Sequence, residues 1–330
     1  MCGTISPDHF LHGGGEKTVN FGKRMNNKNQ KLPIEGYLFL IGTAFFTALS
    51  YIFGRYLNFG KELDKYLDPE VTTFYWFFGA FIFSLIVTPF IPSQRKELRN
   101  LRRYWRIFIY SGILTSIGAA LWVSSLWTIG PALTSFLMKA QTLFSLMLGF
   151  LFLGERLKKG ESVGIALTII GVIIVAYQKD TFLIYGTVTA LSAAFFYSLL
   201  SYIVKKIAND LNMLMVATLR TLGVSIVLFI YLIVTGTFSY PTFTDAILMA
   251  LGGTCGAYIA KACQFHSIKL LDVSRTTAVM PLESIFVVLM AFVVFDTIPS
   301  AVKLAGGVLI ITGVIFLVVY RGEKNEVLDK

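Results

Sequence analysis

A glycine-spaced apolar stretch occurs twice in this chain, and the repeat constrains the fold more than any other sequence feature. The stretch GIALTIIGVIIV, which begins at Gly164, recurs 142 residues later as GGVLIITGVIFL at Gly306, and both copies carry glycines seven residues apart. The preceding segment matches at the same offset without a gap, as Met138 does with Met280. The chain is therefore interpreted as two copies of one structural unit.

The composition is that of an integral membrane protein. Hydrophobic residues make up 55% of the chain and charged residues only 15%, and the mean hydropathy is +0.69. Soluble domains carry about 25% charged residues. The net charge of +10 is attributed to basic loops that are attracted to anionic lipid. It is not attributed to nucleic-acid binding, because the sequence shows no soluble domain that could carry such a site. We expect the lipid bilayer, and no nucleic acid, as a partner.

Ten apolar segments follow the N-terminal region, and a membrane-spanning helix needs about 20 such residues. The sequence therefore predicts an all-α integral membrane protein with ten transmembrane helices. The segments are 36–57, 71–91, 107–128, 131–153, 161–177, 182–204, 211–236, 244–267, 274–296 and 300–320.

The segments divide the chain into four regions. Residues 1–35 are polar and without periodicity, which predicts a disordered cytoplasmic tail and no signal peptide. Residues 36–177 form the first five-helix repeat and residues 182–320 the second. Residues 321–330 are expected to be a second cytoplasmic tail.

Loop charges predict the orientation of the chain. If the N-terminus is cytoplasmic, 21 Lys and Arg residues lie on the cytoplasmic side and four on the opposite side. This asymmetry places both termini in the cytoplasm of a multi-pass protein of the cell membrane. Because five helices is an odd number, the second copy enters the membrane inverted. Inverted repeats can open a central site to alternate sides; the alternative is a duplicated bundle that transports nothing.

The fourth helix ends in the sequence FLFLGER, with Gly154 and Glu155 at its end, and is followed by the glycine-spaced helix. Together with the five-plus-five repeat, these residues resemble the EamA-type transporters of the drug/metabolite transporter superfamily over residues 36 to 320. In the second copy an acid, Asp296, aligns with Gly154. The resemblance implies a secondary transporter of small organic solutes, such as amino acids, drugs or sugar phosphates. It also implies that helices three, four, eight and nine line the cavity.

Charged side chains within the predicted helices are candidate functional groups, because each costs at least ~2.5 to 3.5 kcal/mol to insert. Arg55 lies near the outer end of helix one and is expected to snorkel to the interface. Lys261 lies roughly 25 Å into helix eight, where it either snorkels or faces the cavity.

Arg220 and Glu283 lie at equal depth, roughly 14 Å from the cytoplasmic ends of helices seven and nine. Equal depth predicts an ion pair that is either static or broken between inward and outward states. The alternative is that Glu283 carries a proton and couples transport.

Lys139 is predicted to contact an anionic group of the substrate, because it lies about 12 Å deep in helix four with no acid of the first copy at its depth. The alternatives are pairing with Glu283 and snorkelling. In the second copy Pro281 aligns with Lys139 and is expected to kink helix nine. Gln141 aligns with Glu283, so the two could flank the site symmetrically.

Trp122, Tyr258 and Gln264 on helices three and eight are secondary candidates for substrate contact, although packing is the commoner role of such residues. No metal or cofactor is expected, since His266 is isolated in its helix and no nucleotide-binding signature occurs.

Two further features are assigned to packing and anchoring. The glycines at 164/171 and 306/313 lie on one face of each helix and are expected to pack helices closely, with a homodimer through helices five and ten as a possible use. Residues 95–106 are expected to form an amphipathic helix on the cytoplasmic leaflet.

The sequence therefore predicts a secondary transporter, and not an enzyme, for a small anionic or zwitterionic metabolite such as an amino acid or a phosphorylated metabolite. A second hypothesis is export of apolar or cationic drugs. The least favoured is a membrane-embedded enzyme acting on lipid-linked substrates, which would need clustered acids or histidines at one interface.

Overall fold

The computed structural model describes residues 34–58, 67–153, 159–177, 181–207, 211–270 and 281–328. All regular secondary structure in these ranges is helical. The N-terminal tail predicted over 1–35 lies outside the described residues, except that Ile34 and Glu35 already belong to the first helix. Gly154 and Glu155 also lie outside the described residues.

Twelve α-helices occur in the described part of the chain. Short 3-10 helices follow α2 and α3, and a π-helical turn, Thr254–Ile259, joins α9 to α10. The α-helices are α1 (Ile34–Tyr56), α2 (Pro69–Val87), α3 (Pro92–Glu97), α4 (Trp105–Met138), α5 (Ala140–Leu153), α6 (Lys159–Ala176), α7 (Thr181–Ile207), α8 (Met213–Thr235), α9 (Phe243–Gly253), α10 (Ala260–Leu270), α11 (Leu282–Phe295) and α12 (Ala301–Leu328).

Seven helical stretches in the described ranges are long and apolar enough to cross a bilayer, and Ser162–Ala176 and Leu282–Phe295 are shorter apolar helices. This pattern is that of a multi-pass membrane protein. One of the seven stretches spans residues 100–138 continuously, whereas the sequence predicted separate helices over 107–128 and 131–153.

The junction between those two predicted helices is a bend in α4 at Gly130, whose φ of 80° and ψ of 169° are not helical. Pro131 has no N–H, so the carbonyl of Trp127 loses its helical donor. Arg55 donates a hydrogen bond to that carbonyl, and the indole Nε1 of Trp127 donates to the carbonyl of Gly54 at 3.0 Å. Arg55 therefore links the end of α1 to the bend, a contact that the sequence did not predict.

The repeated glycines hold α6 against α12. A Cβ added at Gly164 would lie 2.7 Å from the carbonyl oxygen of Gly313, and one at Gly171 would lie 2.7 Å from that of Gly306. The predicted close packing is confirmed, and the partner of each glycine face is a helix of the same chain. Gly164 aligns with Gly306 in the repeat, and Gly171 aligns with Gly313. The Gly164–Gly313 contact is therefore the repeat equivalent of the Gly171–Gly306 contact.

A second pair of close crossings lies nearer the centre of the bundle. Gly253 of α9 packs against the backbone of Trp76 in α2 so closely that a Cβ there would overlap the Trp76 carbonyl. Gly112 of α4 similarly packs against Gly223 of α8, where an added Cβ would lie 3.1 Å from the backbone. Each crossing joins the second helix of one copy to the third of the other. Between them lies the largest cluster of buried apolar side chains, which includes Trp122.

Two predicted boundaries differ from the structure. The segment 95–106 is not one amphipathic helix, because α3 ends at Glu97 and the 3-10 helix that follows contains Asn100 at φ −123° and ψ 32°. The last helix continues to Leu328, beyond the predicted start of a tail at residue 321.

Candidate functional site

The aligned residues Lys139 and Pro281 each directly precede a helix, α5 in the first copy and α11 in the second. In the first copy α4 ends before Lys139, and the amide of Thr142 donates to the Lys139 carbonyl at 3.0 Å. In the second copy α11 begins after Pro281, and the amide of Ser284 donates to the Pro281 carbonyl, also at 3.0 Å. Lys139 aligns with Pro281 and Thr142 with Ser284. The kink of helix nine predicted at Pro281 stays a prediction, because residues 271–280 lie outside the described residues.

Lys139 and Glu283 form an ion pair next to these two helix starts. Lys139 Nζ lies 3.0 Å from Glu283 Oε2, and each side chain is only 11% exposed. Lys139 directly follows the last residue of α4, and Glu283 lies in the first turn of α11. Glu283 therefore has the sign that the dipole of α11 favours, whereas Lys139 lies between the C-terminus of α4 and the N-terminus of α5. The ion pair predicted between Arg220 and Glu283 is wrong; the alternative partner, Lys139, is the one observed.

Arg220 of α8 instead contacts the π-helical turn. Its Nη2 donates to the carbonyl of Ala257 at 3.1 Å, and its guanidinium lies 5.8 Å from the ring centroid of Phe77. π-Helical turns are rare and occur frequently at functional sites. A guanidinium has five N–H donors, and among the described residues one hydrogen bond engages it. Arg220 can therefore offer further donors to a bound anion.

Lys261 of α10 is the third cation of this region. Its Nζ donates to Oε1 of Gln264 at 2.9 Å, and its charge interacts with those of Arg220, Glu283 and Lys139. Three cations and one carboxylate thus share the interior of the described bundle. The Lys139–Glu283 pair is neutral, so Arg220 and Lys261 leave an excess of positive charge there.

Tyr51 of α1 is a member of this site that the sequence did not indicate. It is 4% exposed, and its hydroxyl interacts with the Glu283 carboxylate and with Trp122. The Tyr51 ring packs edge-on against Trp122 with centroids 5.2 Å apart, and Trp76 lies 5.8 Å from Trp122 on the other side. Trp122, a secondary candidate, is therefore next to the ion pair.

Gln141 does not mirror its aligned residue Glu283. Its Nε2 donates to Oγ of Ser201 at 3.3 Å and to the carbonyl of Tyr197 at 3.5 Å, both on α7. The symmetric pair of polar side chains expected at mid-membrane is thus replaced by an asymmetric one, with only Glu283 directed at Lys139.

Tyr258 belongs to a separate polar group near the end of α2. Gln94, which is fully buried, donates from Nε2 to the Tyr258 hydroxyl at 3.2 Å and accepts a hydrogen bond from Thr88 at 2.7 Å. Sequence reasoning missed Gln94 because its neighbours in the sequence are charged and typical of a solvated segment. Its hydrogen bond connects α3 to the π-helical turn.

Within the described ranges, no three His, Cys, Asp or Glu side chains lie close enough together to hold a metal ion. Cys255 and Cys263 are both free thiols.

Several named transporters are similar to this chain. A protein of Methanothermobacter thermautotrophicus described as an uncharacterized transporter is 24% identical over 310 residues, which are 87% of each chain. The S-adenosylmethionine uptake transporter of Rickettsia prowazekii is 25% identical over 80% of this chain and 88% of its own. That of Rickettsia conorii is 26% identical over 78% and 86%.

One crystal structure shares the fold, with a TM-score of 0.55 at 15% sequence identity over 86% of this chain and 94% of the other. The profile of the EamA-like transporter family matches the chain twice, over residues 34–177 and 184–319. The two matches together cover most of the sequence. This chain belongs to the EamA-like transporter family.

Proposed function

We propose that this chain is a secondary transporter that carries a small anionic or zwitterionic organic metabolite across the cell membrane by alternating access. The observation that carries the proposal is the Lys139–Glu283 ion pair, which joins the two copies next to the helix starts at Ala140 and Leu282. Interrupted helices at the interface of inverted repeats form the substrate sites of many transporters.

The proposed architecture is ten membrane helices arranged as an inverted repeat, with both termini cytoplasmic. The first copy would comprise α1, α2, the two halves of α4 on either side of Gly130 (the second continued by α5), and α6. The second would comprise α7, α8, α9 with α10, α11, and α12. Support comes from the two glycine contacts between α6 and α12, because the repeat relates the Gly164–Gly313 contact to the Gly171–Gly306 contact.

The excess positive charge supports an anionic group on the substrate. Lys139 has a carboxylate partner, whereas the hydrogen-bond acceptors of Arg220 and Lys261 are the neutral Ala257 carbonyl and Gln264 amide. Neutral acceptors offset less of the cost of a buried cation than a carboxylate does. A substrate carboxylate or phosphate bound between Arg220 and Lys261 would supply the missing negative charge.

S-adenosylmethionine is one candidate substrate: its amino-acid end is zwitterionic, as the proposed class requires, although its sulfonium makes the whole molecule a net cation. Two relatives at about one-quarter identity are named as its uptake transporters. Its amino-acid end carries a carboxylate that suits Arg220 and Lys261. Its sulfonium is a cation of the kind that aromatic faces and carboxylates attract, and Tyr51 and Trp122 lie beside Glu283.

In the proposed cycle the ion pair acts as a gate between the copies. Lys139 follows α4 of the first copy and Glu283 opens α11 of the second, so the two helices cannot separate without breaking the pair. A substrate ammonium or sulfonium near Glu283 would compete with Lys139 for the carboxylate. That competition would lower the free energy needed to open the site only when substrate is present.

The proposal is tested first by ligand binding, measured as a rise in the melting temperature of the purified protein. A ligand that binds only the native state raises its apparent stability by about 2.7 kcal/mol at 100 times its Kd. The compounds are S-adenosylmethionine, amino acids, phosphorylated metabolites and apolar organic cations. We expect a zwitterion or anion to raise the melting temperature, and we expect Arg220→Met and Lys261→Met to abolish the rise.

The matched control is Lys96→Met, which removes an equal charge from an exposed position and should leave the ligand effect intact. Stabilisation by apolar organic cations alone would contradict the proposed substrate class and favour drug export. If the ligand raised the melting temperature of both Arg220→Met and Lys261→Met as much as that of the wild type, neither residue would belong to the binding site.

A further inference from the structure

The segment of residues 92–106, which leads from α2 into the first two residues of α4, is fixed to the bundle at two buried points. One is Gln94, through its hydrogen bond to Tyr258. The other is Tyr104, which is 1% exposed, donates to Glu97 Oε2 at 2.8 Å and accepts from the amide of Asn212 at 3.2 Å. Because both anchors point inward, the side chains between them are presented on the outside of the protein. We refer to residues 92–106 as the basic linker.

The outer face of the basic linker combines positive charge with apolar side chains. Its apolar members are Leu98, Leu101 and Trp105, which are 44%, 43% and 55% exposed. Glu97 is its one acid, and that carboxylate accepts from Tyr104. The exposed basic side chains are Arg95, Lys96, Arg102, Arg103 and Arg106.

Arg106 and Trp105 form the end of this face that lies at the start of α4. The guanidinium carbon of Arg106 lies 5.3 Å from the ring centroid of Trp105. An anion bound to Arg106 would therefore lie next to the indole. Tryptophan favours the boundary between headgroups and acyl chains, and basic residues beside it attract negatively charged headgroups.

We propose that the basic linker binds the headgroups of anionic phospholipids. The cations would contact the phosphates, while Leu98, Leu101 and Trp105 would enter the outer part of the acyl region. The apolar residues between the cations favour a lipid surface over nucleic acid, because a phosphate backbone offers no apolar layer to receive them. This binding is independent of the transported solute.

Trp105 provides a direct readout. The chain has four tryptophans, and the other three, Trp76, Trp122 and Trp127, are 3%, 9% and 6% exposed. The protein is placed in nanodiscs containing phosphatidylcholine with equal mole fractions of either brominated phosphatidylglycerol or brominated phosphatidylcholine. Bromine quenches tryptophan at short range, so we expect stronger quenching by the anionic lipid.

Three variants make the result specific. Arg102→Gln with Arg106→Gln should abolish the preference for phosphatidylglycerol, and Trp105→Phe should remove most of the quenched signal. Arg55→Gln removes a basic side chain elsewhere in the bundle and should leave the preference unchanged. The melting temperature of each variant confirms that it is folded.

Equal quenching of the wild-type protein by the two brominated lipids would overturn the proposal. So would a preference that survives in the doubly substituted linker. Loss of the preference on addition of millimolar inorganic phosphate, but not of sodium chloride at equal ionic strength, would identify a site for free phosphate and would also overturn it.

Discussion

The Lys139–Glu283 ion pair gives the sharpest prediction about the stability of the bundle. Replacing Lys139 with Met keeps an unbranched side chain, shorter by one heavy atom, but leaves the Glu283 carboxylate, which is 11% exposed, without a cationic partner. Removing one member of a buried pair costs about 3–5 kcal/mol. For a chain of this size about 2 °C of melting temperature corresponds to 1 kcal/mol, so the expected decrease is roughly 6–10 °C.

Glu283→Gln should destabilise the protein less than Lys139→Met, because the glutamine amide can still accept a hydrogen bond from the Lys139 ammonium. The double variant Lys139→Met/Glu283→Gln removes both charges. Neutral replacements of both members of a buried pair are often tolerated, so its melting temperature should lie above that of Lys139→Met.

The assay is thermal unfolding of the purified proteins in one detergent, followed by intrinsic fluorescence and by circular dichroism. The four proteins form a double-mutant cycle that isolates the interaction between the two side chains. We expect a coupling of at least about 1.5 kcal/mol, within the range for residues in contact. Strictly additive melting temperatures, or a change below 1 °C in Lys139→Met, would refute the pairing of these side chains in the folded protein.

Three other substitutions test contacts elsewhere in the fold. Gly171→Ala should cost about 1–3 kcal/mol, because its Cβ would meet the Gly306 carbonyl at 2.7 Å and one of the two helices would have to shift. Arg55→Met should cost about 1–3 kcal/mol, because the Trp127 carbonyl loses the donor that replaces the N–H missing at the α4 bend. Asp296→Gly should raise stability by up to about 1 kcal/mol, because Asp296 ends α11 at a φ of 51°, a conformation that glycine adopts more readily. All three are measured as melting temperatures.

Each of these predictions has a matched control. Gly42→Ala adds the same methyl group where the nearest atom, Cys263 Sγ, is 3.7 Å away, so it should be tolerated. Lys96→Met removes an exposed cation and should change stability little. Asp296→Ala removes the carboxylate but retains a Cβ in the left-handed region. Stabilisation by Ala equal to that by Gly would show that loss of the charge, and not of the Cβ, is responsible.

The glycine repeat shows what the sequence can and cannot specify. Seven-residue spacing placed two glycines on one face of each helix, which correctly predicted close packing. It could not identify the partner, because a glycine face fits a neighbouring helix of the same chain or of a second copy equally well. The backbone contacts of Gly164 with Gly313 decide in favour of the former.

The charges of the site show a different limit. Depth along a helix predicted Arg220 as the partner of Glu283, but depth does not specify the direction in which a side chain points. That direction depends in part on the end of α4 at Met138, next to Lys139. A lysine in an apolar segment carries no sequence signal for such a helix end.

Tyr51 and Gln94 were missed for a related reason. Tyr51 is one of many aromatic residues in apolar helices, and only its phenol group, which needs a hydrogen-bond partner when buried, distinguishes it. Gln94 stands between residues typical of a solvated loop. Both positions depend on contacts between segments far apart in the chain, with Glu283 and Tyr258 respectively, and one sequence does not specify such contacts.

Counterflow into proteoliposomes tests the central claim most directly. Vesicles containing the purified protein are loaded with unlabelled S-adenosylmethionine, an amino-acid mixture or a phosphorylated metabolite, and uptake of the labelled compound from outside is followed over time. We predict transient accumulation of at least one of these solutes in wild-type vesicles and none in Lys139→Met vesicles that contain equal amounts of folded protein. Accumulation in Lys139→Met equal to that of the wild type would contradict the central role of the ion pair.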